Sequence, residues 1–343
     1  MIENLGSNKI IDVIIPAYKA QTSIERTVAS ISIQSIKDNI KVTIVNDCDN
    51  KDYSKVIKRY SDLLDIREIK MNKNGGPGLA RQYGIDNTEL PYFTCIDADD
   101  TFSGAFALEV LFKNIIINQG VVCVGAFLEE HPNMQFVPHA TDLIWMFGKL
   151  YNRNFINKYN IRFNSTRANE DNGFNTCVRL CTDENEKIVF IQDVVYYWHF
   201  KEDSITRINN AEYSYNQSFP GYTENMIYAI KHAREYKPFN GNINLWACQV
   251  MMNLYVYYMQ TCERDPRFKE QNFKWSVTYY KEVFKDIRNT LSPKIFKEIY
   301  STVMKNSSGG MIGVAPELTI YQFLDELEKS IESESEDIGN QTK

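Results

Sequence analysis

The sequence reads Tyr-Phe-Thr-Cys-Ile-Asp-Ala-Asp-Asp at residues 92–100. Aromatic, β-branched and apolar residues come first and predict a short buried strand, and carboxylates follow it directly. Carboxylate oxygens bind hard cations such as Mg²⁺ or Mn²⁺, and the open coordination positions of these cations take substrate phosphates. The stretch therefore predicts a strand that ends in a metal and diphosphate site.

Three similar runs precede this strand and are separated by helical stretches: Ile10–Ile15, Val42–Val45 and Ile66–Ile69. The alternation predicts right-handed βαβ crossovers, and hence an α/β fold with a mainly parallel sheet. In open α/β sheets, ligands bind beyond the carboxyl ends of the strands. Those ends carry Pro16-Ala17-Tyr18, Asn46–Asp49 and Asp97–Asp99. We therefore expect three polar clusters to converge on one edge of the sheet.

The character of the chain changes in its second half. Residues 244–262, 273–288 and 317–331 have helical periodicity, many aromatic side chains and little strand signal. With 343 residues, of which 43% are hydrophobic, the chain can bury a full core and form more than one domain. We predict an α/β domain over residues 1–210, an α-helical region over 211–331 and a disordered acidic tail over 332–343.

Composition restricts the compartment and the partners. The formal net charge of −6 gives no global attraction to nucleic acid or anionic lipid. The seven cysteines contain no CxxC pair, so we expect reduced thiols. No apolar stretch approaches the roughly 20 residues of a membrane span, and Met1–Lys9 lacks the apolar core of a signal peptide. These features predict a soluble, cytoplasmic protein without a transmembrane segment.

Five motifs in order resemble those of family 2 glycosyltransferases, which are inverting enzymes of GT-A fold. The motifs are Val13–Tyr18, Val45–Asp47, Asn74–Arg81, Ile96–Asp100 and Glu170-Asp171. The resemblance covers roughly residues 10–207. It implies a Rossmann-like, nucleotide-diphospho-sugar transferase domain, a UDP-sugar donor, and Mn²⁺ or Mg²⁺ as cofactor. A run that includes Gly75 and Gly76 also resembles glycosyltransferases encoded by large tailed phages.

The resemblance assigns contacts with the nucleotide to residues of these motifs: Pro16, Ala17, Tyr18, Asp47, Gly76, Arg81, Asp97 and Ala98. Asp47 occupies the position that accepts a hydrogen bond from the uracil ring N–H. A carboxylate suits this role because it only accepts hydrogen bonds. Arg81 lies one turn into a helix whose N-terminus favours anions. Without the resemblance, the glycines before this helix would predict only a tight turn.

The metal is assigned to Asp99 as direct ligand, with Asp97 as a ligand or a ribose contact. His199 is a further candidate ligand, although a strand histidine among aromatics is more often a packed residue. Asp100 is better explained as a helix cap than as a ligand. Lys149 either approaches a phosphate or is an ordinary surface charge.

Asp171 matches the general base that deprotonates the acceptor hydroxyl, and Glu170 is the second catalytic candidate, which orients Asp171 or contacts the donor sugar. On its own, an acidic pair at a helix start would only complement the helix dipole. The prediction is transfer of a hexose or N-acetylhexosamine from a UDP-sugar to a hydroxyl of a glycan. The alternatives are modification of hydroxymethylated bases in DNA, opposed by the acidic net charge, and an inactive binding module, opposed by the retained carboxylates.

Overall fold

A computed structural model describes residues 8–202, 211–311 and 318–341. The chain divides into two compact units, Met1–Ile208 and Asn209–Lys343. The predicted boundary at residue 210 lies close to this division.

Over residues 8–202, the first unit is built on nine strands and six helices. Its strands are β1 Ile11–Ala17, β2 Ile40–Asn46, β3 Asp65–Lys70, β4 Tyr92–Cys95, β5 Thr101–Phe102, β6 Gly120–His131, β7 Gln135–His139, β8 Lys149–Asn152 and β9 Lys187–Trp198. Its helices are α1 Ile24–Ser32, α2 Ser54–Tyr60, α3 Pro77–Asp86, α4 Ala107–Ile117, α5 Arg153–Lys158 and α6 Glu170–Cys181.

The strands form one mixed sheet in the order β3-β2-β1-β4-β8-β6-β9-β5, with β7 paired to β6. Strands β1 to β4 pair in parallel, as the βαβ pattern predicted. Strand β8 pairs antiparallel with β4 and β6, and β5 pairs antiparallel with β9. Strands β6 and β9 pair in parallel. The predicted α/β class is therefore confirmed, and the carboxyl ends of β1, β2 and β4 lie at the same edge.

Helix α3 packs closely on the sheet, and this packing brings the N-terminus of α3 to the edge where β1, β2 and β4 end. Ile11, Val13 and Ile15 are fully buried in β1, as expected for a strand covered on both faces. A Cβ at Gly84 of α3 would lie 2.4 Å from Cγ2 of Ile14 and 3.0 Å from Cγ2 of Val45. Only glycine permits this approach of α3 to β1 and β2.

The second unit is helical, which confirms the predicted class of the C-terminal region. Its helices are α7 Ala211–Tyr213, α8 Phe219–Tyr236, α9 Gly241–Arg264, α10 Lys269–Tyr279, α11 Lys285–Arg288, α12 Pro293–Met311 and α13 Ile320–Gln341. Short π-helical turns, Ser214–Ser218 and Tyr280–Phe284, interrupt this series. Buried residues of α9 such as Ala247, Met251 and Tyr255 form much of the core of this unit.

Helix α13 runs to Gln341 and so includes most of the acidic segment, and the disorder predicted for residues 332–343 stays a prediction. Phe323, Leu327 and Ile331 are buried at a spacing of four residues and anchor the helix before the acidic segment begins. A helix that is already nucleated extends at little cost through residues with good helix propensity, such as glutamate. Residues 342–343 lie outside the described residues.

Within the described ranges, no helix combines the length and the apolar character that crossing a bilayer would require. Cys95, Cys123, Cys177 and Cys248 are buried free thiols.

Candidate active site

Asp47 follows β2 and holds the loop that opens α3. Its buried carboxylate accepts hydrogen bonds from the backbone N–H of Gly75 (2.6 Å), the backbone N–H of Gly76 (2.8 Å) and Nδ2 of Asn74 (2.9 Å). Gly76 has φ +84°, a left-handed conformation that favours glycine. The backbone N–H of Gly76, a residue assigned to the nucleotide, is therefore bonded to a carboxylate of the chain itself, and Asp47 orders the loop that opens α3.

The turn after β1 is held by a residue that the sequence analysis did not select. Asp49 is buried and accepts hydrogen bonds from the backbone N–H of Lys19 and from the hydroxyl of Tyr53, the latter at 2.9 Å. Lys19 has φ +53°. Ala17 is buried, Pro16 is half-buried and the Tyr18 side chain is exposed, so Tyr18 is available for contact with a ligand.

The acidic cluster forms the turn between β4 and β5. Asp100 is buried and accepts hydrogen bonds from the hydroxyl of Tyr196 at 2.6 Å and the backbone N–H of His199 at 2.9 Å. Burial and the nearby charge of Asp97 raise the pKa of the Asp100 carboxyl well above its usual range. The expectation that Asp100 caps a helix is wrong, because β5 follows it and the carboxylate anchors β9.

Asp97, Ala98 and Asp99 occupy the same turn at different depths. Ala98 is buried. The Asp97 side chain is 29% exposed and that of Asp99 39% exposed, with Nζ of Lys201 at 3.5 Å from Oδ2 of Asp99. Arg26 of α1 donates a hydrogen bond to the backbone oxygen of Asp99. Both carboxylates are therefore reachable from solvent at the carboxyl edge of the sheet.

Arg81 joins this turn to the second acidic cluster. Its guanidinium is buried and donates to Oδ1 of Asp97 at 2.7 Å and to Oε1 of Glu170 at 3.0 Å. The two carboxylates raise the pKa of Arg81 against the opposing effect of burial. Nε of Arg81 is buried and has no hydrogen-bond partner in the described part of the chain. Arg81, predicted to contact the nucleotide, is thus held between the two predicted catalytic clusters.

Gly78 makes this junction sterically possible. A Cβ at this position of α3 would lie 2.5 Å from Cγ and 2.9 Å from Cβ of Glu170. Contacts below 3.0 Å are not tolerated between real Cβ atoms and their neighbours, so any side chain here would push α3 and α6 apart. The glycine-rich stretch before Arg81 therefore serves packing of α3 on α6 as well as the turn.

Asp171 lies in the first turn of α6, next to Glu170, and its side chain is largely buried. Burial and the adjacent charge of Glu170 raise the pKa of Asp171 to about 7. Oδ1 of Asp171 accepts a hydrogen bond from the backbone N–H of Asn172 at 2.8 Å. A carboxylate with this pKa takes up and releases a proton near neutral pH, which is what a general base requires.

Lys149 is a fully buried cation on β8 and not a surface charge. Its Nζ donates to the backbone oxygen of Phe147 at 3.2 Å and lies 4.0 Å from Oδ1 of Asp142. Burial lowers the pKa of Lys149 to about 8, against the effect of Asp142 and Asp171. Lys149 therefore stabilises the segment that precedes β8.

His199 is oriented by protein groups on both ring nitrogens. Nδ1 lies 3.0 Å from Oε2 of Glu130, and Nε2 lies 2.9 Å from the hydroxyl of Thr101. Coordination of a metal by His199 would require one of these bonds to break. Across residues 8–202, 211–311 and 318–341, no three side chains of the His, Cys, Asp or Glu type are grouped to hold a metal ion.

The donor set of Asp97 and Asp99 nonetheless fits a metal that arrives with a substrate. Both carboxylates are partly exposed and follow the same strand. Mg²⁺ at nucleotide sites commonly takes one or two protein carboxylates and completes its shell with phosphate oxygens and water. An all-protein metal centre is a poorer match to these residues.

Residues 12–169 match the model of the family described as "Glycosyl transferase family 2". The chain carries a family 2 glycosyltransferase domain. The resemblance drawn from the motifs is thereby confirmed. The family 2 domain contains Asp47, Arg81, Asp97 and Asp99, and the match ends directly before Glu170-Asp171.

Similar proteins extend the comparison. The chain is 25% identical over 227 residues to glycosyltransferase GlyA of Streptococcus pneumoniae, covering 58% of this chain and 32% of that protein. It is 25% identical over 263 residues to the minor teichoic acid biosynthesis protein GgaB of Bacillus subtilis, covering 66% of this chain and 27% of that protein. The chain therefore spans about a third or less of the length of these relatives.

The crystal structure of Staphylococcus aureus TarS 1–349 in complex with UDP-GlcNAc has the same fold. The TM-score is 0.68 at 16% identity, and the alignment covers 88% of this chain and 92% of that one. The GT-A fold of the family 2 domain is thus supported by a solved structure as well as by the sheet order.

Proposed function

We propose that the family 2 domain is an inverting, metal-dependent glycosyltransferase that moves a hexose or N-acetylhexosamine from a UDP-sugar to a hydroxyl of a glycan. The observation that carries the proposal is the double ion pair of Arg81 with Asp97 and Glu170. It brings a metal-binding carboxylate turn and a carboxylate base into one site.

The nucleotide is bound at the carboxyl ends of β1 and β2. Tyr18 packs on the base or the ribose, and the loop ordered by Asp47 forms the neighbouring wall. The Asp47 carboxylate already accepts three hydrogen bonds, from Asn74, Gly75 and Gly76. A carboxylate can accept about four, so one acceptor position is left for the uracil N–H. TarS, which has the same fold, was crystallised with UDP-GlcNAc, and this supports UDP as the nucleotide.

Asp99 and Asp97 are the residues that would hold Mn²⁺ or Mg²⁺ beside the diphosphate. Such a cation offsets the negative charge that develops on the departing UDP, which is Lewis-acid catalysis at the leaving group. Arg81 holds Asp97 in place from the protein side. A protein acid is not required at the leaving oxygen.

Asp171 accepts the proton of the acceptor hydroxyl. The acceptor oxygen then forms a bond to the anomeric carbon, while the bond from that carbon to the diphosphate oxygen breaks and its electron pair leaves with UDP. A single displacement from the opposite face inverts the anomeric configuration. Glu170, bonded to Arg81, fixes the first turn of α6 and so positions Asp171.

A glycan acceptor is supported by the relatives. GgaB is named as a teichoic acid biosynthesis protein. TarS is named as a poly(ribitol-phosphate) β-N-acetylglucosaminyltransferase, and this chain is 27% identical to it over 90 residues. One name concerns teichoic acid and the other poly(ribitol-phosphate), so we propose a glycan as acceptor rather than DNA.

The test is a screen of nucleotide sugars for slow hydrolysis without acceptor, with Mn²⁺ and with excess EDTA. UDP-glucose, UDP-galactose, UDP-GlcNAc and UDP-GalNAc are compared with GDP-mannose. We expect one UDP-sugar to be hydrolysed in a metal-dependent manner and GDP-mannose to be stable. Equal rates with EDTA, or preference for GDP-mannose, would contradict the proposal.

A further inference from the structure

Two tryptophans of the first unit, Trp145 and Trp198, lie side by side. The ring centroids of Trp145 and Trp198 are 5.3 Å apart, and both rings contact Phe147, at 5.7 and 5.1 Å. Both side chains are partly buried and pack against the core of the first unit. Aromatic rings that pack against a core are rigid, and partly exposed aromatic rings commonly line ligand sites.

The backbone of Trp145 is fixed to the helix that carries Asp171. Nδ2 of Asn175 donates to the carbonyl oxygens of Trp145 at 3.1 Å and Ile144 at 3.0 Å. Asn175 is four residues after Asp171, so both side chains project from the same face of α6. The carboxylate of Asp142 also accepts a bond from the backbone N–H of Trp145, at 3.0 Å.

Trp198 is fixed to the acidic turn on the other side. The next residue, His199, donates its backbone N–H to Asp100 at 2.9 Å. Tyr196 of the same strand donates to Asp100 at 2.6 Å and stacks on Phe147 at 5.0 Å. The tryptophan pair is therefore tied to the turn that carries Asp97 and Asp99, and also to the helix that carries Asp171.

We propose that Trp145 and Trp198 form the acceptor subsite and bind a cyclic sugar residue by stacking against its C–H face. This inference rests on the proposed function, since the acceptor hydroxyl must reach Asp171. The flat faces of an indole pair suit a pyranose ring, whose C–H groups meet the negative face of the aromatic system. The carboxylate of Asp142 borders this surface and disfavours a polyphosphate chain.

The experiment compares wild type with Trp145→Ala, Trp198→Ala, Trp145→Phe and Trp198→Phe. Transfer is measured to methyl β-D-glucopyranoside, methyl N-acetyl-β-D-glucosaminide and ribitol 5-phosphate at saturating UDP-sugar. Each alanine variant should raise the KM for a methyl glycoside by about tenfold or more, whereas the phenylalanine variants should retain most of the affinity. Donor Kd by calorimetry and hydrolysis without acceptor should stay at the wild-type values.

Trp275→Ala is the matched control, because Trp275 is a partly exposed tryptophan on α10 of the second unit. Melting curves identify any alanine variant that fails to fold. If an alanine variant does not fold, saturation-transfer NMR on the wild-type protein with UDP tests the subsite instead. Irradiation of the aromatic protons of the protein should then saturate the ring C–H protons of the methyl glycoside.

The subsite proposal would be overturned if both alanine variants kept the wild-type KM for the methyl glycosides. It would also be overturned if no saturation transfer to the glycoside were observed. If the enzyme preferred ribitol 5-phosphate as acceptor and the substitutions did not change its KM, the acceptor would be an alditol phosphate and the subsite proposal would be wrong. Failure of the proposed function looks different, because wild type would then neither bind nor hydrolyse any UDP-sugar.

Discussion

Arg81 donates a hydrogen bond to Glu170 at 3.0 Å, although the two residues are 89 positions apart in the chain. The pair is buried, with side-chain exposures of 5% for Arg81 and 8% for Glu170. The other terminal nitrogen of Arg81 bonds to Asp97. One guanidinium therefore sets the distance between the proposed metal turn and the proposed base helix.

Replacement of Arg81 by glutamine should destabilise the fold by about 3 kcal/mol or more, because it leaves Glu170 buried without a cation. Arg81→Lys should lose less, since it keeps the charge but cannot bond both carboxylates in the same planar geometry. Urea unfolding curves of the three proteins measure the difference. Wild-type stability of Arg81→Gln would show that the ion pair contributes nothing.

Gly78→Ala should impair packing of α3 on α6, because the added Cβ would meet Cγ of Glu170 at 2.5 Å. We expect a loss of about 1–3 kcal/mol, the usual cost of overpacking a core site, together with weaker transfer. Gly104→Ala is the control, since a Cβ there has nothing within 4 Å. Equal melting temperatures of both variants would contradict the packing role of Gly78.

Asp171→Asn should separate chemistry from binding. The amide cannot accept the proton of the acceptor, so single-turnover transfer should fall by about 10²–10⁴-fold, the usual share of general acid–base catalysis. UDP-sugar Kd should stay near the wild-type value, because the nucleotide is assigned to Tyr18, Asp47 and the Asp99 turn. Transfer at the wild-type rate would assign the proton to another group, with Glu170 as the nearest carboxylate.

The raised pKa of Asp171 also predicts a pH dependence of stability. The native carboxyl takes up its proton near pH 7, whereas in the unfolded chain it does so near the ordinary value of 3.8. Between these values the folded state binds more protons, so this group makes the protein more stable as pH falls from 7 towards 4.

Asp171→Asn removes this dependence. Its gain in melting temperature over wild type should therefore be largest above pH 7 and should shrink by pH 5. Asp62→Asn, at an exposed position, is the control and should show no such trend. A gain for Asp171→Asn that grows towards acid pH would contradict the raised pKa.

Much of the fold was predictable because its signals are local. The runs that became β1 to β4 are short and apolar, and their alternation with helices specifies parallel pairing. The same logic placed Asp47 and the Asp97–Asp99 turn at one edge of the sheet. The antiparallel strands β5, β7 and β8 were not predicted, since a two- to five-residue strand has little pattern of its own.

Partner choice inside the site was not predictable from sequence. A contact of Arg81 with the nucleotide stays a prediction, and the sequence did not indicate that its guanidinium also bonds to two carboxylates. Lys149 was assigned either to a phosphate or to the surface, although the apolar Leu150 and Tyr151 that follow it on β8 were a signal for a buried position. Trp145 and Trp198 are 53 positions apart in the chain, and a contact over this distance cannot be predicted from the hydrophobic periodicity of the sequence.

The central claim is a single displacement with Asp171 as base, and the configuration of the product tests it most directly. The hydrolysis screen supplies the donor, and proton NMR then follows the anomeric signal of the first product formed from a UDP-α-sugar on a methyl glycoside acceptor. A single displacement gives a β-linked product from the outset. An α-linked first product would mean retention, and would contradict both the single displacement and the role assigned to Asp171.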